Sequence, residues 1–76
     1  MHKLDRDAID VKTTDLTLNV VLADGRGLSA PLEWFPPLRD ATSEQRSRWR
    51  LIGGGQGIYW PDIDEDISVT TLHRSS

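Results

Sequence analysis

No cysteine occurs among the 76 residues, which excludes disulfides, thiol catalysis and thiolate metal sites together. No apolar run is longer than Val20–Ala23, whereas a membrane-spanning helix needs about 20 apolar residues. The opening residues, Met1-His2-Lys3-Leu4-Asp5-Arg6-Asp7, alternate charge with no apolar stretch behind them. No signal peptide is therefore expected, and the cytoplasm is the expected compartment. A basic excess is missing too: nine Lys and Arg face twelve Asp and Glu, a net charge of −3. Proteins that grip phosphate backbones usually carry that excess, because counterion release drives such binding.

The length predicts one domain over residues 1–76, with 1–7 and 73–76 as frayed ends. A domain this small, lacking staples, depends on a tight core or on association with another chain. Three tryptophans stand out beside a single Phe and a single Tyr.

Residues 8–14 and 16–22 alternate with period two. Ile9, Val11 and Thr13 are expected on one face, and Leu16, Leu18, Val20 and Leu22 share a face in the next run. Such alternation, rich in β-branched residues, marks half-buried strands. Asp15 between them reads as a tight turn. Asp24-Gly25 is the strongest hairpin signal in the chain, since Gly takes positive φ without steric cost. A third strand is predicted over 26–31, burying Leu28 and Ala30. Residues 8–31 thus read as an antiparallel meander of three strands.

Pro31, Pro36 and Pro37 bracket Leu32-Glu33-Trp34-Phe35. Prolines remove ladder donors and restrict the preceding residue, so a connection with at most one helical turn is predicted, pinned to the core by Trp34 and Phe35. A short helix follows within 38–48, with Ser43 as its cap and Glu44 at its positive end. Leu38, Ala41 and Gln45 give it only a weak stripe. Trp49, Leu51 and Ile52, then Ile58-Tyr59-Trp60, form the arms of a second hairpin across Gly53–Gly57. Asp62–Asp66 reads as a loop. In Ile67–Leu72 the β-branched content favours a strand and the capping signal a short helix; the helix is preferred. The fold class is α+β, a small antiparallel sheet made of the meander and the second hairpin, with one or two short helices.

The motifs carry little chemistry. A phosphate-binding loop needs Lys and Ser or Thr directly after its glycines, and Ile58-Tyr59-Trp60 stand there instead. Asp62, Asp64 and Asp66 match positions one, three and five of a calcium loop, but Ile67 replaces the required glycine and His73 the terminal carboxylate. Only weak surface binding of a divalent cation stays open. His2 and His73 sit near the ends without matching ligands, so both are expected in solvent. No serine lies in a nucleophile elbow, and the carboxylates concentrate in one exposed loop rather than against an apolar pocket. No catalytic, cofactor-binding or metal residue is assigned; no cofactor is expected, and the chain is not expected to be an enzyme.

Charge is distributed unevenly. Residues 39–50 hold Arg39, Arg46, Arg48 and Arg50 against Asp40 and Glu44, a local +2, while Asp62, Asp64, Glu65 and Asp66 make a local −4. These are solvated faces, or a dipolar surface for a charged partner or self-association. Trp34, Trp49 and Trp60 are expected as core or interface anchors. Base stacking beside the arginines is the alternative. The partner surface expected from these signals comprises Trp34, Arg46, Arg48, Arg50 and Trp60.

The order of signals resembles a widespread bacterial family known as domain of unknown function 2442. The resemblance runs over nearly the whole chain. It includes Leu22-Ala23-Asp24-Gly25, then Leu32-Glu33-Trp34-Phe35-Pro36-Pro37-Leu38 with Ala41, Glu44 and Trp49. It continues through Ile52-Gly53-Gly54-Gly55-Gln56-Gly57-Ile58-Tyr59-Trp60-Pro61 to Ile63-Asp64-Glu65-Asp66-Ile67-Ser68-Val69 and Leu72. The resemblance implies a small α+β fold and no assigned activity. It also implies a neighbouring small protein as partner, in a toxin–antitoxin-like pair. A non-catalytic module binding a small protein partner, or itself, is therefore expected, with weak nucleic-acid binding or a regulatory accessory role as the alternative. No membrane association is expected.

Overall fold

β1 (Ala8–Thr13), β2 (Thr17–Leu22) and β3 (Gly27–Pro31) form an antiparallel sheet in the order β1-β2-β3. The computed structural model describes residues 7–75. Leu18, Val20 and Leu22 of β2 are buried, as their alternation predicts. The β1 pattern is shifted by a bulge: Ala8 pairs with Leu22 but Asp10 with Val21, leaving Ile9 as the extra residue. An extra residue reverses the side-chain phase on one side of it. Ala8 and Val11 therefore reach the core, whereas Ile9, expected beside Val11, is exposed. Leu16 is likewise displaced from the core face, because the strand begins at Thr17 and Leu16 belongs to the turn. Thr14 builds that turn with its Oγ1, which accepts from the backbone N–H of Leu16 (3.2 Å) and of Thr17 (3.0 Å). Such hydroxyl contacts hold a turn in place of ladder bonds.

The β2–β3 hairpin closes over three residues. The N–H of Leu22 donates to Arg26 O (2.8 Å), the N–H of Gly25 donates to Leu22 O (2.9 Å), and Gly25 takes φ +90°. Three-residue loops of this kind place a left-handed residue at their last position, so Gly25 sits where its lack of Cβ is needed. Of the two residues expected to be buried in β3, Ala30 is buried and Leu28 only partly so.

The proline-bracketed connection contains a 3-10 turn, Leu32–Trp34, and a single helical turn, α1 (Pro36–Arg39). Leu32 and Leu38 anchor it in the core, and Phe35 packs against that core. Trp34, expected to pin the loop, is half-exposed instead. α2 (Ser43–Ser47) is capped by Thr42 rather than Ser43. The Thr42 hydroxyl accepts from Gln45 N (3.1 Å), and Gln45 Oε1 accepts from Thr42 N (3.0 Å). This reciprocal box satisfies two amides that a helix start otherwise leaves unpaired.

The second hairpin joins β4 (Arg50–Ile52) to β5 (Gly57–Trp60), and β6 (Glu65–Ser68) extends it into a second three-stranded antiparallel sheet, β4-β5-β6. The preference for a helix over 67–72 is corrected at its start: Ile67 and Ser68 are strand, and α3 (Val69–Ser75) follows. The acidic loop shrinks correspondingly, since Glu65 and Asp66 pair with Trp60 and Tyr59. The start of the segment thus pairs as strand, and the helix takes the rest.

The two sheets are tied at a glycine. The N–H of Ala8 in β1 donates to Gly55 O (2.8 Å) in the β4–β5 turn, while inside the second sheet the N–H of Val69 extends the β5–β6 pairing by donating to Gln56 O (2.9 Å). Asp7, expected in a frayed end, is buried, and its carbonyl accepts from Ala23 N (2.8 Å). At the other end, α3 carries helical backbone through Ser75. The common core comprises Leu18, Val20, Leu22, Leu32, Leu38, Ile58, Trp60 and Leu72 as its largest fully buried side chains. Each aliphatic member contributes about 1.5–3 kcal/mol by leaving water.

Candidate functional site

Of the five residues expected to share a partner surface, the structure leaves three outside. Trp60 ends β5 in the middle of the core, with no exposure, and its indole Nε1 donates to Arg46 O at 3.0 Å. Arg46 lies in α2 and is also buried. Its Nη1 donates to the carbonyls of Ala41 (3.0 Å) and Leu38 (3.3 Å), and its Nη2 contacts Asp15 Oδ1 at 3.5 Å. Arg46 therefore ties the α1–α2 link to the β1–β2 turn. Neither residue stands on the exposed surface: the Trp60 indole is enclosed in the core, and Arg46 is buried with its Nη1 committed to two carbonyls.

Arg48, Arg50 and Trp34 remain exposed. Arg48 directs Nη2 to Glu44 Oε1 (2.9 Å) and Nη1 to Asp62 Oδ2 (3.2 Å). The basic segment and the acidic loop thus meet each other and do not form two separate faces. Exposed pairs of this kind are worth only about 0.2–1 kcal/mol each, but they neutralise the charge locally. Arg39 is paired with Asp40 at 3.0 Å; that hydrogen bond and charge lower the Asp40 carboxyl and raise the Arg39 guanidinium from their ordinary values. Arg50 stands on the edge strand β4, opposite Tyr59.

Trp34 is 51% exposed and Leu16 is 77% exposed. The backbone places them at the same end of the first sheet, because Leu32 N donates to Leu16 O (2.9 Å) and Trp34 closes the turn that Leu32 opens. The alternation of β2 assigned Leu16 to the core, so its exposure had no local signal. Among the described residues, Ile9 and Ile52 are the other large exposed apolar side chains, and both flank the tie at Gly55.

Two of the four acidic residues in 62–66 are engaged within the chain. Asp62 meets Arg48, and the Tyr59 hydroxyl donates to Asp64 Oδ1 (3.1 Å), a bond that raises the phenol above its ordinary value. Among the described residues no three His, Cys, Asp or Glu side chains group so as to hold a metal ion. His2 and the side chain of His73 lie outside the described residues.

A cavity of about 370 Å³ opens between β1 and α2, with Lys12, Thr13, Ser43, Arg46, Ser47 and Trp49 among its lining. It has the size of a small-ligand pocket. Trp49 is half-buried here and packs against the core. No sequence signal marks the cavity, since Asp15 and Arg46, both on its wall, stand 31 residues apart.

The comparisons add one assignment. The family model described as "Protein of unknown function (DUF2442)" matches residues 8–76. The chain belongs to this family. No curated protein and no solved structure matches it. The matched span of this DUF2442 chain begins at β1 and takes in both sheets, the cavity and α3. Among its described residues no helix is long and apolar enough to cross a membrane.

Proposed function

We propose that this DUF2442 chain is a non-catalytic, cytoplasmic protein-interaction module that docks a small protein partner, a neighbour in a toxin–antitoxin-like pair. The observation that carries the reading is the exposed apolar pair of Leu16 and Trp34 at one end of the first sheet. An exposed tryptophan at a fixed turn is the kind of anchor that dominates binding energy at interfaces. Both residues sit on short, well-bonded turns, so little ordering cost attends docking. Arg48 and Arg50 are exposed as well, although Arg48 already serves Glu44 and Asp62.

The nucleic-acid alternative has weaker support. Three of the four arginines in residues 39–50 are engaged inside the chain: Arg39 with Asp40, Arg46 in the core, and Arg48 with two acids. The free basic surface that counterion release requires is correspondingly small.

Co-expression with the small protein encoded beside it, followed by co-purification, tests the interaction. The expected result is a complex that Trp34→Ala or Leu16→Asp weakens by about tenfold or more, as loss of an interface anchor does, while each variant keeps its thermal stability. A monomer that captures nothing, with both variants indistinguishable from the parent, would overturn the reading.

A further inference from the structure

We propose that the cavity between β1 and α2 binds a small oxyanion, a carboxylate or a phosphate, through the Nε–Nη2 edge of Arg46. A guanidinium presents five N–H groups, and those of Nε and one of Nη2 point the same way, as a fork matched to two oxygens of one anion. In Arg46 the opposite nitrogen, Nη1, is committed to the carbonyls of Leu38 and Ala41. The fork edge is not. Nε is buried and has no hydrogen-bond partner among the described residues, and Nη2 has only Asp15 Oδ1 at 3.5 Å.

That contact is slack. Charge-assisted N–H···O bonds normally run to about 2.7–2.9 Å, and the Asp15 side chain is 96% exposed while that of Arg46 is 8% exposed. A buried cation with two of its five N–H groups unmatched carries a desolvation cost that a well-placed anion offsets. Asp15 can leave the edge for water at little cost, because it is already in water. The incoming oxyanion takes its place at Nη2 and brings its second oxygen to Nε. Lys12, on the β1 wall of the cavity, adds a second positive charge. Ser43 and Thr13 are hydroxyl-bearing residues of the lining, the Ser47 hydroxyl being already given to Glu44 O (2.6 Å), and Trp49 offers an apolar side for the body of an organic anion. The site differs from the Leu16–Trp34 surface and stands or falls separately from the interaction reading.

The test is an NMR titration of the ¹⁵N-labelled protein with sodium acetate and, separately, sodium phosphate, against sodium chloride at equal ionic strength. The expected result is a saturable shift of the Arg46 Nε–H and the Trp49 indole N–H with acetate, phosphate or both; the order of affinity states which oxyanion the site prefers. Asp15→Asn removes the competing carboxylate and should tighten binding by about two- to fivefold, the range of a surface ion pair. Arg46→Lys keeps the charge but loses the fork, and saturation should vanish. Should that variant fail to fold, the Asp15→Asn comparison decides alone. A chloride-like linear drift in both the parent and Asp15→Asn would overturn the proposal, as would saturation that Asp15→Asn leaves unchanged.

Discussion

The indole Nε1 of Trp60 donates a 3.0 Å hydrogen bond to the backbone carbonyl of Arg46. The last residue of β5 thereby holds the last turn of α2 from inside the core, while the Arg46 side chain reaches the carbonyls of Leu38 and Ala41. One tryptophan and one arginine join the second sheet to the proline-rich connection. A residue pair that resembles surface chemistry in the sequence is the inner fastening of the fold.

Trp60→Phe removes the hydrogen bond and part of the ring while keeping an aromatic side chain in place. It leaves the Arg46 carbonyl buried and unpaired, at a cost of about 1–3 kcal/mol. Trp60→Ala adds a large cavity and should cost about 3–5 kcal/mol. Urea denaturation of both variants checks the order. A near-neutral Trp60→Ala would contradict the burial of this side chain.

Two glycines with positive φ should differ in their tolerance of a Cβ. At Gly25, φ is +90° and a Cβ meets nothing within 4 Å, so Gly25→Ala should cost only the left-handed conformation, about 1–2 kcal/mol. Gly25→Val should cost more, because a β-branched residue resists positive φ. At Gly55, φ is +107° and a Cβ would lie 2.6 Å from the Ala8 carbonyl oxygen, at the tie between the sheets. Gly55→Ala should therefore be the more damaging of the two alanine variants in thermal denaturation. Equal losses would argue against the close approach at Ala8.

The start of α2 gives a contrast between neighbours. Thr42→Ala removes the capping hydroxyl and should lower stability by about 0.5–2 kcal/mol. Ser43→Ala, one residue on, should stay within about 0.5 kcal/mol. Chemical denaturation of the two variants separates them, and a reversal would return the cap to Ser43.

Asp24 supplies a pH dependence. The backbone N–H of Arg26 (2.9 Å), followed by its guanidinium, holds the Asp24 carboxyl below the ordinary value of 3.8. A group with a depressed folded value binds its proton more readily when unfolded. Its contribution is thus present above 3.8 and is lost as the pH falls through the folded value. Side-chain carbon NMR should place the Asp24 midpoint below 3.8. Melting temperature should fall less steeply with acid in Asp24→Asn than in the parent; parallel curves would remove Asp24 as a source.

The strands were the most legible feature. Period-two alternation marked Leu18, Val20 and Leu22, and Asp-Gly marked the hairpin, because these signals act between near neighbours. Glycine between apolar arms likewise announced the β4–β5 hairpin. The bulge at Ile9 escaped, since one extra residue leaves composition unchanged while moving Ala8 into the core. β6 was legible only in part: β-branched content gave Ile67–Leu72 a strand signal, but Glu65 and Asp66 look like loop residues without their β5 partner. The candidate surface was the least legible part. Exposure of Trp34 and burial of Trp60 depend on which neighbours arrive, and flanking residues do not state that.

By itself the sequence determined the class of the protein: α+β, cysteine-free, acidic overall, with two glycine-turn hairpins around a proline-bracketed connection. Local backbone preference and apolar spacing suffice for those features. Only the tertiary structure decided the fate of the charged and aromatic side chains. Arg48 was paired with the acidic loop, Arg46 was drawn inside against two carbonyls and a distant aspartate, and Leu16 was left in water. The reason is physical: a charge or a ring is stabilised by whatever lies within a few ångströms of it, and those neighbours come from other parts of the chain.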